Sequence, residues 1–136
     1  MAERLVVIGG DGAGMAAAMQ VRRRLPYLEI VALEKTRWTS YSACGIPYLV
    51  GGEVASLDDL VARRPQEFRD THRIDVRLEH EVTGIDLDRR RVEVRDLQRR
   101  RTLHIDFDRL HVATGARPVR PDLPGIGLDH VKGVQT

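Results

Sequence analysis

The chain has 136 residues, the size of one domain, with 42% hydrophobic and 31% charged residues, a composition that suits a globular fold with its own core. No apolar run approaches the roughly 20 residues of a membrane span, and the short one near the start meets Gly9 and Gly10 at once, so neither a membrane anchor nor a signal peptide is expected. A net charge of +2 and only 4% aromatic residues argue against a nucleic-acid binder, and a single cysteine rules out an internal disulfide and suits a reducing cytoplasm.

Residues 4–8 are aliphatic and β-branched and read as a buried strand. Gly9, Gly10, Asp11, Gly12, Ala13 and Gly14 follow. An alanine- and methionine-rich run then predicts a helix from near Gly12 to the Leu25-Pro26 pair. Residues 29–34 form a second strand, so the opening of the chain is a βαβ unit of about 30 residues. This arrangement suits a dinucleotide. Glycines let the backbone approach a pyrophosphate, and the helix start offers its amides and dipole to the phosphates. Glu34, 20 positions after Gly14, stands where such a fold places a carboxylate for a ribose. The fingerprint is imperfect, because Asp11 occupies the place of its middle glycine and would bring a negative charge toward the phosphates. NAD and FAD both use this unit. Arg22, Arg23 and Arg24 at the helix end read as a solvated terminus or as a site for a phosphate-bearing ligand.

Ten residues past Glu34 comes the only cysteine, Cys44, within a stretch of small polar residues, Ser40, Tyr41, Ser42 and Ala43. Residues 46–50, with Pro47 near the start, predict a short helix carrying Cys44 at its N-terminus. There the helix dipole would favour thiolate over thiol, and Ser40 and Ser42 could add hydrogen bonds. A lone cysteine is more often a buried small hydrophobe. Its distance from the glycine turn instead suits a sulfur exchanging electrons with a bound flavin.

Beyond Gly52 the pattern predicts a capped turn at 56–60 and a helix at 65–72, with Pro65 in its first turn. A strand at 74–78 precedes a meander of half-buried strands at 81–87, 91–95 and 102–107. The triplets Arg89 to Arg91 and Arg99 to Arg101 read as hairpin turns. None of the five histidines has metal-ligand spacing with another, so no metal is expected. A last strand, 110–112, delivers Ala113, Thr114 and Gly115, where glycine again permits close backbone approach. Pro118, Pro121 and Pro124 make an extended connector.

Residues 11–48, with the Gly51-Gly52 end of the cysteine stretch, resemble the flavin-dependent pyridine nucleotide–disulfide reductases. They are most similar to the single-cysteine branch of coenzyme A disulfide reductases, NADH oxidases and NADH peroxidases. The resemblance implies an α/β fold, the N-terminal part of a three-layer FAD/NAD(P)-binding domain, with residues 1–117 as one segment of a discontinuous FAD domain. Residues 118–136 would lead toward a nicotinamide-binding domain that the sequence does not contain. It assigns catalysis to Cys44 and FAD contacts to the glycine turn, Glu34, Lys35, Ser42, Val82, Ala113, Thr114 and Gly115. Gln20, Arg23, Ser40 and Ala43 match substrate-contacting positions, Ala43 standing where an asparagine is common. Gly12 stands where peroxidases and oxidases carry a histidine, which tilts the expectation toward disulfide chemistry. The implied activity is NAD(P)H-linked reduction of a small-molecule disulfide, with coenzyme A disulfide or a persulfide as candidates, by a cytoplasmic homodimer. An NADH oxidase or peroxidase cycling through cysteine sulfenic acid, or a non-catalytic FAD-binding fragment, is the alternative.

Overall fold

The structure, a computed structural model, describes residues 3–133. Four strands, β1 (Arg4–Ile8), β2 (Glu29–Leu33), β3 (Ile74–Arg77) and β7 (Arg109–Val112), form one sheet in the order β3-β2-β1-β7. Every neighbouring pair is parallel. Strands β4 (His80–Asp86), β5 (Arg91–Asp96) and β6 (Arg101–Asp106) form a separate antiparallel meander. The helices are α1 (Gly12–Arg24), α2 (Ile46–Val50) and α3 (Pro65–His72).

The sequence dictates three layers because the buried strands are apolar on both faces. On one face Leu5, Val7, Ile30, Ala32, Ile74 and Val76 pack with Met15 and Ala18 of α1 and Phe68 of α3. On the other, Val6, Ile8, Val31 and Leu33 pack with Val92, Val94, Ile105 and Phe107 of the meander or just beyond it. The two-residue period of each strand thus sorts odd positions of β1 toward the helices and even ones toward the meander. Phe68 is fully buried on the helical side, and removing its ring would cost about 3–5 kcal/mol.

Predicted and observed elements agree within a residue or two, and the α/β fold class is the one expected. The triplets at 89–91 and 99–101 fall at the two hairpins, with Arg91 and Arg101 opening β5 and β6. Asp86 and Asp96 each accept a hydrogen bond from the backbone N–H three residues on, Arg89 and Arg99, both at 2.9 Å. Arg90 and Arg100 then take left-handed φ values of 49° and 52° to close the two hairpins. The buried Asp96 carboxylate is also held by the side chains of Arg99 and Arg101. Its pKa is lowered, chiefly by the Arg99 amide. The segment expected as a connector, 118–136, is described only to residue 133, and carries turns rather than a helix or strand over that range. No helix among the described residues is long and apolar enough to cross a membrane.

Candidate functional site

Parallel pairing carries β1, β2 and β7 to a common end, and each exits there into a predicted motif. The glycines after β1 are sterically required. A Cβ on Gly9 would lie 2.2 Å from the carbonyl oxygen of Ala113, and Gly9 has φ +107°. A Cβ on Gly10 would lie 2.7 Å from the Cβ of Glu34, and one on Gly14 would lie 1.9 Å from the carbonyl oxygen of Gly9. Each of these contacts is far inside van der Waals distance. Gly12 differs, with nothing within 4 Å of a Cβ there. Gly9 and Ala113 therefore touch, and the Ala113 N–H donates to the Ile8 carbonyl at 2.8 Å. Gly115, two residues on, adopts φ +69°.

Glu34 follows β2 directly and is buried. Its Oε2 accepts from the Gly10 N–H and its Oε1 from the Thr36 N–H, both at 2.8 Å. Its carbonyl accepts from the His80 N–H at the start of β4, so Val82 lies two residues along the strand that is held to Glu34. The Val82 side chain packs against the meander core. Lys35 is exposed beside Glu34.

Asp11 resolves the imperfect fingerprint. It is the N-cap residue of α1, yet its side chain makes no cap. Its Oδ1 instead accepts from the Tyr41 N–H at 2.8 Å, so the carboxylate is turned toward the cysteine stretch. The first-turn amides of α1, which have no intrahelical acceptor, are thus left without a side-chain cap. Uncapped amides behind glycines that admit no side chain, next to a buried carboxylate, fit the diphosphate and ribose of a dinucleotide. The buried Thr39 hydroxyl adds a bond of 2.5 Å to the Gly10 carbonyl, and the Ser40 N–H reaches the same oxygen at 3.3 Å. Three contacts from 39–41 thus hold the cysteine stretch on the glycine turn.

Cys44 is exposed, not packed among aliphatic side chains. One expectation needs correcting. Cys44 lies in a single 3-10 turn, Ala43–Gly45, and α2 starts after it at Ile46 with Gly45 as its N-cap. A five-residue helix that begins beyond the thiol is a poor source of macrodipole, because few peptide units add up in it. The serine hydroxyls likewise make no hydrogen bond among the described residues. Their backbones do the positioning: the Ser42 N–H donates to the Leu60 carbonyl at 2.8 Å, and the Ser40 carbonyl accepts from the Ala62 N–H at 2.9 Å. Tyr41 and Val61 form an antiparallel bridge between these bonds. A Cβ on Gly45 would lie 2.3 Å from Leu60 Cδ2, so the cysteine turn rests directly on that side chain.

The substrate candidates divide. Gln20, Arg23 and Ser40 line one groove of about 380 Å³, with Gly12, Met15, Ala16, Met19, Arg63 and Phe68. Ala43 is exposed and not among the groove's lining residues. The neighbouring arginines of α1 also divide. Arg22 is structural: its guanidinium donates to the carbonyls of Pro26 at 2.7 Å, Arg73 at 2.8 Å and His72 at 2.9 Å. Burial, then the nearby Arg73 charge, lower its pKa. Arg23, one residue on, faces the groove. Thr39, Arg63 and Phe68 are site residues that the sequence did not announce. A buried threonine and a loop arginine carry no periodicity, and Phe68 reads only as core. No cluster of potential metal ligands occurs among the described residues.

The family model for the pyridine nucleotide-disulphide oxidoreductases matches residues 3–136. The chain is 38% identical over 136 residues to an NAD(P)H coenzyme A polysulfide/persulfide reductase of Pyrococcus horikoshii, covering 100% of this chain and 29% of that one. It is 32% identical over 133 residues to an NADH oxidase of Methanocaldococcus jannaschii, covering 98% of this chain and 30% of the relative. The crystal structure of reduced CoADR-RHD from Bacillus anthracis superposes with a TM-score of 0.86 at 27% identity, over 93% of this chain and 23% of that one. The chain therefore spans about a third or less of the length of these relatives.

Proposed function

The chain belongs to the pyridine nucleotide-disulphide oxidoreductase family, and from that premise we propose that it binds FAD at the glycine turn and uses Cys44 to reduce a coenzyme A disulfide or persulfide with electrons from NAD(P)H. The observation that carries this proposal is the bonding of the cysteine stretch to the glycine turn through Asp11, Thr39 and Ser40. It ties the position of an exposed thiol to the position of a diphosphate. FAD would lie with its diphosphate on the first-turn amides of α1 and its adenosine ribose toward Glu34. When bound, it would supply the electron pair, drawn from NAD(P)H, that returns an oxidised Cys44 to thiolate.

The protein's own part is thiol chemistry. The Cys44 thiolate attacks one sulfur of the substrate disulfide, a bond forms between Cys44 and that sulfur, and the other half leaves as a thiolate. Two electrons and a proton then convert the mixed disulfide into the Cys44 thiolate and a free substrate thiol. Exposure of Cys44 admits the substrate sulfur, and the backbone bridge to residues 60–62 keeps the turn from collapsing over it. Gln20, Arg23 and Ser40 would hold the phosphate-bearing part of the substrate in the groove.

The similarity to an NADH oxidase supports a second reading, in which Cys44 cycles through sulfenic acid with an oxidant. Product analysis separates the two. Disulfide reduction yields two thiols per NAD(P)H, whereas oxidase turnover consumes oxygen. The deciding variant is Cys44→Ser in the protein carrying this chain. It should retain FAD and lose reduction of coenzyme A disulfide, and retained turnover would reject the role given to Cys44.

A further inference from the structure

Arg63 lines the same groove as Gln20, Arg23 and Ser40. We propose that Arg63 is a second anion-binding residue of the substrate groove, held in reserve by an ion pair with Glu67. The inference rests on the reading of the groove as the site of a phosphate-bearing thiol.

The backbone gives Arg63 a fixed place. The preceding residue, Ala62, donates its N–H to the Ser40 carbonyl at 2.9 Å, and Tyr41 and Val61 form the bridge beside it. Ser40 and Arg63 therefore flank opposite sides of one isolated antiparallel bridge. The same bridge orients the cysteine turn through the bond from Ser42 to Leu60. The lining of the groove is divided in character. Ala16 and Met19 supply apolar surface over the buried Met15 and Phe68, while Arg23 and Arg63 are the cations among its lining residues. A ligand with an apolar or amide-bearing arm and a polyanionic end matches that division.

Arg63 Nε stands 3.2 Å from Oε1 of Glu67 in the first turn of α3, with both side chains close to half exposed. A pair so exposed is weak and exchangeable. A phosphate entering the groove offers the guanidinium a doubly charged acceptor in place of a single carboxylate, so Arg63 can leave Glu67 and close on the ligand. Glu67 then acts as a competitor for the same donor. Removing it should tighten anion binding, whereas removing Arg63 should weaken it.

The test is calorimetric titration of the protein carrying this chain with coenzyme A, and with pantetheine, the thiol that shares the arm but lacks phosphate. Arg63→Gln should weaken coenzyme A binding about 5- to 20-fold and leave pantetheine unchanged. Glu67→Gln should tighten coenzyme A binding about 2- to 5-fold, and that gain should vanish when Arg63→Gln is present as well. Equal coenzyme A affinity in wild type and Arg63→Gln overturns the inference while leaving the substrate reading intact. A Glu67→Gln gain that persists without Arg63 assigns the effect to general charge and overturns the exchange. If the wild-type protein binds pantetheine and coenzyme A equally, or binds neither, the substrate reading falls and takes the inference with it.

Discussion

Gly14→Ala and Gly12→Ala place the same methyl group two residues apart in one helix, and the structure predicts opposite outcomes. At Gly14 the new Cβ would lie 1.9 Å from the Gly9 carbonyl oxygen and 3.1 Å from Val7 Cγ1. The obstacle at the shorter distance is backbone, so the glycine turn itself must move. Overpacking of this kind costs about 3 kcal/mol, against about 1 kcal/mol gained from better helix propensity. The net loss of about 2 kcal/mol should lower a urea midpoint by about 1 M, for a slope near 2 kcal/mol per M. At Gly12 nothing lies within 4 Å, so the propensity gain stands alone and the midpoint should rise slightly. The displaced turn should also cost Gly14→Ala its flavin. Urea unfolding followed by circular dichroism, with flavin content measured on the same preparations, checks both. Gly14→Ala with wild-type midpoint and full flavin would refute the steric account of the cradle.

Other consequences follow from the same contacts. Arg22→Ala removes donors to three well-placed carbonyls, two of them, His72 and Arg73, at the end of α3, and should destabilise the fold by about 2 kcal/mol. Arg23→Ala should leave the melting temperature unchanged and weaken only coenzyme A binding. Asp11→Ala removes the acceptor for the Tyr41 N–H, so hydrogen exchange at Tyr41 should quicken about 5-fold, while Asp11→Asn, which keeps an acceptor oxygen, should stay near wild type. In acid, Asp96 and Asp106 matter. Asp96 is held low first by the Arg99 amide, and Asp106 first by its hydrogen bond from Arg91 at 2.6 Å. Folded-state values below the unfolded ones mean that the charged carboxylates stabilise above the ordinary aspartate range. That stability drains away as pH falls through the lowered values. Melting temperature plotted from pH 5 downward should decline, and the decline should be shallower in Asp96→Asn.

The βαβ unit was legible because each of its residues obeys a local rule. Gly9, Gly14 and Glu34 stand at spacings set by a turn, a helix and a strand, and the structure packs Gly14 against Gly9 and bonds Glu34 to Gly10. The meander was legible from period-two burial, and the structure shows why its arginine triplets follow Asp86 and Asp96: the aspartates fasten the turns. What lay beyond the sequence depends on contacts between distant segments. That Asp11 turns to Tyr41 instead of capping α1 is decided by a partner 30 residues away. That Arg22 is structural and Arg23 faces the groove is decided by where α3 ends. The local rule fails at Cys44, because a proline in the first turn of α2 does not carry that helix back to the thiol. The chain instead makes one 3-10 turn first, with Gly45 packed on Leu60.

The absorption spectrum of the flavin-loaded protein with Cys44 reduced, compared with that of Cys44→Ser, bears most directly on the central claim. A thiolate lying against an oxidised flavin donates electron density into it, so wild type should show a long-wavelength band that Cys44→Ser lacks. Superimposable spectra from the two proteins, with flavin bound in both, would contradict the claim that Cys44 meets the flavin.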